Sequence, residues 1–359
     1  MNLYYFVFIW LWVMYCVSLK VDVTYTYFEN GEKLYRWRFI YALILFLPVI
    51  YLAAFTTPRS DTGLYLKIYR EIPLEWSGIA EKLSSDQSGK GFVVFQWLIK
   101  RIFGDNISIF RLLLALLHSI PVLYVFRKYS ENFVLTTFLF LITGNHIGWM
   151  MNGLRQFLAV SVVMAATPLI LKKKYIPLFF IIVLAMTIHS SAMIMLPIVF
   201  VVQGKPWNEK TLFFIAASLI MMWAFSKYTG LLDRMLVDTE YAGHIESAAK
   251  MGDDGTNPIR VLVNSVPMIL SLVGKRQINQ ENDAVVNLCV NMSIVTVGIY
   301  LVSMVTSGIM IGRLPAYTSL YSCILLPKII RTIFNEKSAR MVIVLMMGLY
   351  IMYYLYAYG

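Results

Sequence analysis

The sequence predicts an all-α protein embedded in a membrane, and three observations lead to this fold class. Hydrophobic residues make up 59% of the 359 residues, and charged residues make up only 14%, whereas soluble domains carry about 25% charged residues. Mean hydropathy is +0.67. Apolar runs of about 18 residues recur from end to end, which is close to the length that an α-helix needs to cross hydrocarbon. We therefore expect a polytopic bundle of transmembrane helices.

Charge and cysteine usage exclude several other classes. The net charge of +11 would suit nucleic acid in a soluble protein, but here most of it is a topology signal, so we expect no nucleic-acid binding. The three cysteines lie inside apolar segments, which indicates neither a disulfide nor a metal cluster. Met1 to Leu19 has no basic start and no small-residue cleavage site, so we expect no removable signal peptide. No His, Glu or Asp group has ligand spacing, and we predict neither metal nor cofactor.

Twelve apolar segments are candidate spans or half-spans of a single integral membrane domain over residues 1–359. They cover about 3–19, 38–55, 107–126, 132–150, 154–171, 175–188, 190–203, 211–228, 258–274, 284–307, 312–330 and 340–357. Basic residues mark alternate loops as inside loops. They are Lys20, Lys33, Arg36, Arg38, Arg127, Lys128, Lys172, Lys173, Lys174, Lys205, Lys210, Lys275, Arg276, Lys328, Arg331, Lys337 and Arg340. This pattern places both termini outside.

The segment Tyr175 to Val202 is long enough for one tilted span, yet lysine clusters flank both of its ends. One crossing would put one cluster outside, so the charges favour two short segments that turn near His189 and Ser190. A pair of re-entrant pieces fits equally well.

Two outer loops are long, over about 56–106 and 228–257. The first is polar and contains an amphipathic piece, Phe92 to Phe103, which we expect to lie along the membrane surface. The second is acidic. Since soluble domains, internal repeats and low-complexity tracts are absent from the sequence, we expect the chemistry on the outer face.

Basic residues at the outer ends of inward-running helices form the main candidate site. Arg155 lies in a first helical turn, where the macrodipole disfavours a cation, unless an anion binds there too. Arg260 follows Asn257-Pro258, and Arg313 follows Gly312. Both arginines are predicted to lie at helix N-termini. Arg111 lies about one turn into a further helix. The alternative is that these side chains snorkel to the outer headgroups.

Two other groups are candidates for acid–base or sugar-binding chemistry. Arg59, Asp61, Tyr65 and Tyr69 follow the second span, where a carboxylate can act as a base and tyrosines can pack on a sugar. A helix cap followed by an interfacial aromatic belt explains them equally well. His189 is the best-placed titratable group, although a membrane histidine is often only a hydrogen-bond link between helices. His146 and His244 are weaker candidates, and we expect His118 to be buried.

Several motifs together resemble the EpsG family of bacterial membrane proteins, which is grouped with the Wzy-type polymerases of O-antigen, capsule and exopolysaccharide repeat units. They are SDTGLYLKIY, GKGFVVFQWLIKRIF, NGLRQFLAVSV, IHSSAMIMLPIVF and GRLPAYTSLYSCILLPKII. The residues that match the family pattern are Asp61, Tyr65, Asn152, Arg155, Gln156, His189, Ser190, Arg313 and Tyr317. The segment Ser85 to Gly89 departs from it, because no Glu stands immediately before the Gly-Phe pair.

The resemblance implies a glycosyltransferase C-like bundle in the bacterial inner membrane that acts on its outer face. A glycan on undecaprenyl diphosphate would move onto a lipid-linked repeat unit, and a chain-length regulator protein is an implied partner. Arg155, Arg260 and Arg313 would hold the leaving diphosphate, Arg59, Tyr65, Asn152, Gln156 and Tyr317 would complete substrate binding, and His189 or Asp61 would be the base.

Two other classes remain open. A flippase of the same lipid-linked glycan also needs a cationic site, although the nearly uncharged middles of the spans disfavour transport. A transferase that adds a single sugar from a polyprenyl phosphate would use the same arginines.

Overall fold

A computed structural model describes residues 3–29, 32–56, 61–84, 89–143, 146–227 and 255–358. Arg59, His244 and most of the acidic loop 228–257 lie outside these residues. Most of the described chain is α-helical, which confirms the fold class. The chain divides into two compact units, Met1–Leu196 and Pro197–Gly359.

The first unit contains a β-hairpin and a series of helices, most of them apolar. In chain order these are α1 (Leu3–Lys20), β1 (Thr24–Glu29), β2 (Glu32–Trp37), α2 (Phe39–Phe55), α3 (Asp61–Glu71), α4 (Trp76–Ser84), α5 (Lys90–Phe103), α6 (Ile107–Tyr129), α7 (Phe133–Ile142), α8 (His146–Asn152), α9 (Leu154–Ala165), α10 (Thr167–Leu171), α11 (Tyr175–Ile188), a 3₁₀ helix (Ser190–Ile194) and α12 (Met195–Val201), within which the unit ends.

Helix α6 is central to the first unit, because it packs against α2 on one side and α9 on another. It begins where Asn106 accepts a hydrogen bond from the Ile109 backbone N–H at 3.1 Å, which satisfies a donor that the helix start leaves unpaired. His118 lies completely buried in it, as expected.

The hairpin was not expected, because residues 20–38 read as a polar inside loop. Thr24 pairs with Trp37 and Glu29 with Glu32 in an antiparallel register. Alternating threonine and tyrosine favour a strand. Arg127 at the end of α6 donates to the Trp37 carbonyl at 2.6 Å, so the hairpin is attached to that helix end.

The second unit is built around one helix that is buried on nearly every side, α16 (Ala284–Ser303). The elements after α12 are α13 (Glu209–Lys227), α14 (Pro258–Val273), α15 (Lys275–Glu281), α16, a second 3₁₀ helix (Ile311–Arg313), α17 (Ala316–Ile333) and α18 (Glu336–Tyr358). Helices α13, α14 and α17 pack against α16. A helix that is apolar all round belongs in a core, which explains this arrangement.

Four helices of the described residues are long and apolar enough to cross a membrane. They are Ile107–Tyr129, Glu209–Lys227, Ala284–Ser303 and Glu336–Ala357. Counting each of two bent helix pairs as one span raises the number to six. The expectation of about twelve spans is therefore wrong. The reason is helix length: other apolar segments form helices of 10–17 residues, whereas a crossing takes about 20.

The two long loops were expected to be mostly polar connections. The described part of 56–106 contains three helices, α3, α4 and α5, and the last of these contains the amphipathic piece predicted over Phe92 to Phe103. The predicted break at His189 is also present, since α11 ends at Ile188 and the 3₁₀ helix begins at Ser190.

Candidate functional site

Arg155 lies in the first turn of α9. Gly153 interrupts the helical path just before it, between the end of α8 and the start of α9. Its Nε donates to the Tyr65 hydroxyl at 3.2 Å, and its guanidinium carbon lies 5.5 Å from the centre of the Tyr65 ring. A cation over an aromatic face is stabilised by the ring quadrupole. Tyr65 therefore fixes the direction of a half-buried cation at a helix N-terminus, as a preorganised anion site requires.

Gly89, which the sequence analysis did not select, closes the other side of Arg155. A Cβ built at Gly89 would lie 2.6 Å from Arg155 Nη1 and 3.2 Å from the Ile188 carbonyl oxygen. Its φ is +84°, in the left-handed region that favours glycine. The start of α5 thus lies between the α9 start and the end of α11, which brings Arg155 close to the segment that carries His189.

His189 directly follows the last residue of α11, and its side chain caps the 3₁₀ helix that begins at Ser190. Its Nδ1 accepts from the Ser191 backbone N–H at 3.3 Å and lies 2.8 Å from Ser191 Oγ. Gln156, next to Arg155, donates from Nε2 to Ser191 Oγ at 3.4 Å. The structure therefore brings four predicted site residues into one region of the first unit: Tyr65, Arg155, Gln156 and His189.

Asp61 and Asn152 lie at the neighbouring ends of two helices. Asp61 is the first residue of α3, and Asn152 is the last residue of α8. The hydroxyl of Thr62 donates to the Met151 carbonyl, which joins these two ends. The Oδ1 of Asn152 is buried and has no hydrogen-bond partner among the described residues. The start of α3 and the end of α8 therefore lie together, and α8 leads directly into Arg155.

A buried lysine holds the helix that carries Tyr65. Lys100 of α5 is only 7% exposed, and its ammonium group donates to the carbonyls of Arg70 and Ile72 at 2.6 and 2.9 Å. It also pairs with Asp105 at 2.9 Å. All three donors of the ammonium are satisfied, two of them at the end of α3. Sequence spacing gives no sign of this role, because Lys100 reads as one more polar residue of an amphipathic helix.

Tyr69 supplies a second link between α3 and the end of α5. Its hydroxyl donates to the Gly104 carbonyl at 2.7 Å, and its ring stacks on Phe110 with centroids 4.3 Å apart. Burial, and then the negative charge of Asp105, raise the pKa of this hydroxyl. The group therefore stays protonated and keeps its donor role at neutral pH.

Three other candidates have structural roles. Arg111 donates to the Thr56 carbonyl beyond the end of α2, so it satisfies a helix C-terminus. Within α6, His118 hydrogen-bonds to the Leu154 carbonyl at 3.0 Å, which links α6 to α9. The ring of His146 is fully buried and stacks on Phe140 with centroids 5.3 Å apart.

The second unit has its own cationic region, where the start of α14 lies beside a 3₁₀ helix that ends at Arg313, so Arg313 does not lie at a helix start as predicted. Asn257 caps α14 by accepting from the Ile259 N–H at 2.8 Å, as predicted, and Arg260 lies in the first turn. A Cβ built at Gly312 would lie 2.5 Å from Thr256 Oγ1, so the 3₁₀ helix that contains Arg313 packs directly against the α14 start. Two predicted arginines thus share one end of this unit.

Tyr317 and the nearby hydroxyls complete this region of the second unit. Tyr317 is buried in the first turn of α17. Ser303 Oγ donates to Thr256 Oγ1 at 2.7 Å, and the Thr256 N–H donates to the Ser303 carbonyl at 3.0 Å. Among the described residues, no group of three or more His, Cys, Asp or Glu side chains is arranged to hold a metal ion.

Taken together, these features define a multi-pass α-helical membrane protein with arginines near the ends of several helices. The family model described as the EpsG family matches residues 39–358. The chain therefore belongs to the EpsG family, a family of Wzy-like polymerases. Membership implies a glycosyltransferase-like polymerase of exopolysaccharide or other repeat units, which would act on a lipid-linked substrate in a bilayer. No curated protein and no solved structure matches the chain.

Proposed function

We propose that this protein polymerises lipid-linked repeat units. It transfers a growing glycan from undecaprenyl diphosphate onto the free end of a new lipid-linked repeat unit, at the outer face of the bacterial inner membrane. The observation that carries this proposal is the placement of Arg155, a half-buried cation at a helix start that Tyr65 and Gly89 hold from two sides. Family membership supplies the class of reaction.

In the proposed reaction, an acceptor hydroxyl oxygen bonds to the anomeric carbon of the donor glycan. The bond between that carbon and the diphosphate oxygen breaks, and its electron pair stays on the diphosphate. The acceptor proton passes to a base, for which Asp61 and His189 are the candidates. Negative charge grows on the departing diphosphate, where a guanidinium and the free N–H groups of a helix start stabilise it most.

Arg260 and Arg313 extend the proposal to the second unit. Arg260 lies in the first turn of α14, whereas Arg313 is the last residue of the 3₁₀ helix and precedes α17, and the contact of Gly312 with Thr256 brings the two elements together. We assign them to diphosphate binding as well, with Tyr317 beside them on α17. Substitution of either arginine by alanine is expected to shorten the polymer.

The experiment that tests the proposal is the banding pattern of surface polysaccharide from a strain that lacks this gene. The deletion is expected to give a product capped at one repeat unit, and the wild-type gene to restore the ladder. Arg155→Ala is expected to lower polymer formation about 10²-fold or more, because one preorganised donor to a developing anion contributes that much. Arg155→Lys is expected to recover only part of it, since an ammonium lacks the two-pronged guanidinium geometry.

Arg340→Ala is the matched control, because Arg340 is 81% exposed and pairs with the exposed Glu336 four residues earlier. It should form a normal ladder at the same level of membrane-bound protein. A full ladder from Arg155→Ala would overturn the assignment of Arg155 to the diphosphate site. A full ladder from the deletion strain would overturn the assignment of the protein as a polymerase. Repeat units that accumulate on the inner face would indicate the flippase, and the loss of a branch sugar would indicate the single-sugar transferase.

A further inference from the structure

Three segments of the second unit meet at a pair of buried hydroxyl groups. One hydroxyl belongs to Thr256, which comes just before the cap residue of α14, and the other belongs to Ser303, the last residue of α16. Both side chains are buried, and their oxygens lie 2.7 Å apart. The Thr256 N–H also donates to the Ser303 carbonyl at 3.0 Å, which satisfies a carbonyl that a helix end leaves unpaired. Side chain and backbone therefore both join the start of α14 to the end of α16.

The third segment is the 3₁₀ helix Ile311–Arg313, which packs on the same hydroxyl pair through Gly312. A Cβ built at Gly312 would lie 2.5 Å from Thr256 Oγ1 and 3.7 Å from Ser303 Oγ. The first distance is too short for a carbon and an oxygen that are not bonded, so glycine is what lets this backbone approach the hydroxyl. Arg313 directly follows Gly312, and its backbone is therefore held one residue away from the pair.

Arg260 is tied to the same point through the start of α14. A Cβ built at Gly255 would lie 2.8 Å from the Ser303 carbonyl oxygen, so the chain on the other side of Thr256 is also packed against α16. Asn257, the next residue after Thr256, caps α14, and Arg260 lies in the first turn of that helix. The backbones that carry both proposed diphosphate-binding arginines of this unit are thus fixed relative to one hydroxyl pair.

We propose that Thr256 and Ser303 are positioning residues, which hold Arg260 and Arg313 at the spacing that binds one diphosphate between them. The inference rests on the proposed function, in which both arginines bind the diphosphate. The two hydroxyls act by fixing the backbones from which the cations extend, and they do not contact the substrate. Such an indirect effect can be large, because a misplacement of about 1 Å can lower a rate 10²-fold.

Two substitutions of Thr256 separate its hydroxyl from the rest of the side chain. Valine keeps the branched shape and removes the hydroxyl, whereas serine keeps the hydroxyl. We expect Thr256→Val to lower kcat/KM for the lipid-linked donor by about tenfold or more, and Thr256→Ser to stay within about threefold of wild type. Rates are measured in isolated membranes and divided by the amount of folded protein, so a loss of stability alone does not change them.

Ser303→Ala and Ser271→Ala form a matched pair, because each removes a fully buried serine hydroxyl that joins α16 or α14 to a distant part of the chain. Ser271 Oγ accepts from Trp207 Nε1 at 3.0 Å, near the end of α14 opposite to Arg260. Both variants should lose stability, but only Ser303→Ala should lower kcat/KM per folded protein, by about fivefold. A wild-type kcat/KM from Ser303→Ala, or an equal loss from Ser271→Ala, would overturn the inference.

A double-mutant cycle tests whether Thr256 acts through the spacing of the two arginines. That spacing matters only while both cations are present. Adding Thr256→Val to Arg313→Ala should therefore lower the rate by less than about twofold further, whereas independent effects would multiply. A double variant that shows the product of the two single losses would overturn the inference, as would a wild-type rate from Arg313→Ala.

These outcomes separate the inference from the function on which it rests. If the deletion and Arg155→Ala both abolish the ladder while Thr256→Val keeps the wild-type kcat/KM, the inference is overturned and the polymerase proposal stands. If the deletion strain makes a full ladder, the polymerase proposal fails, and the inference is overturned with it.

Discussion

Tyr65 holds Arg155 through two contacts that mutation can separate. The hydroxyl accepts from Arg155 Nε at 3.2 Å, and the ring faces the guanidinium. Tyr65→Phe removes only the first, which contributes about 1 kcal/mol, so the polymerisation rate should fall roughly fivefold. Tyr65→Ala removes both contacts, so its polymerisation rate should be lower than that of Tyr65→Phe.

The matched control for this pair is Tyr51→Phe, because Tyr51 is 53% exposed on α2. Initial rates of polymerisation in isolated membranes, normalised to protein level, give the comparison. Equal rates for Tyr65→Phe and Tyr65→Ala would show that the ring contributes nothing.

At the scale of residues, sequence reasoning could identify the participants but not their pairing. Arg155 and Tyr65 stood out because a cation at a helix start and tyrosines beside a span are visible in the sequence. They are separated by 90 positions, however, and no local rule predicts a hydrogen bond over that separation. Gly89 could not be selected, since its role depends on what approaches it in space.

At the scale of elements, the start of α5 controls the position of Arg155. Gly89→Ala places a methyl group against Nη1 and adds a strain of about 1–2 kcal/mol for a left-handed residue. We expect this variant to displace the guanidinium and to lower the polymerisation rate at least tenfold. Thermal stability of the purified protein and polymer formation are measured together.

A substitution of Gly104, at the other end of α5, separates the effect of backbone strain from the effect of displacing the Arg155 guanidinium. Its φ is +66°, and a Cβ there meets nothing within 4 Å. Gly104→Ala should therefore lower stability while leaving most of the polymerisation rate. If both variants lose activity in proportion to their stability, the close approach to Arg155 has no functional role.

The link between α3 and α5 depends on a buried ammonium group. Lys100→Met leaves the carbonyls of Arg70 and Ile72 without their donor, which should lower the free energy of unfolding by about 2–4 kcal/mol. Lys67→Met is the control, because Lys67 is 72% exposed and its partner Glu71 is exposed as well. We expect that variant to change stability by less than 1 kcal/mol. Denaturation in detergent compares the two, and a similar loss in both would refute the role of Lys100.

Helix positions were predictable because long apolar runs mark them, and α6, α13 and α16 lie close to the predicted segments. The hairpin was not predictable, since its threonines, tyrosines and charged residues are also typical of a polar loop. It is also attached to α6, through a contact between residues far apart in the sequence. Breaks inside apolar runs were visible only where polar residues accompanied them, as at His189. The break at Ala166 between α9 and α10 is also accompanied by a signal, Thr167 and Pro168, but the prediction of one segment over 154–171 did not use it.

At the scale of the whole molecule, hydropathy counts segments rather than crossings. Every predicted segment contains helix, yet only four to six of the described helices or bent pairs reach the length of a span. Segment length along the sequence therefore overestimates the number of crossings when helices are broken.

The family could be predicted from the sequence, because its short motifs occur along most of the chain. The family model matches residues 39–358.

The lysines between α10 and α11 predict an orientation for the first unit. Lys172, Lys173 and Lys174 form this turn, whereas Arg155 begins α9 and His189 follows α11. Helix α11 has 14 residues and is therefore about 21 Å long. The proposed site and the lysine turn thus lie at opposite ends of α11, which is shorter than a full span. From the positive-inside rule we predict that the lysine turn faces the cytoplasm.

Labelling of single cysteines in the full-length chain tests this orientation. Lys172 and Ser84 are both exposed side chains, and each is changed to cysteine after replacement of the three natural cysteines. A membrane-impermeant maleimide should label Ser84→Cys in intact spheroplasts and should label Lys172→Cys only after permeabilisation. If Lys172→Cys reacts in intact spheroplasts instead, the end that carries Arg155 and His189 faces the cytoplasm. The glycan would then be polymerised before export, which contradicts the outer-face proposal.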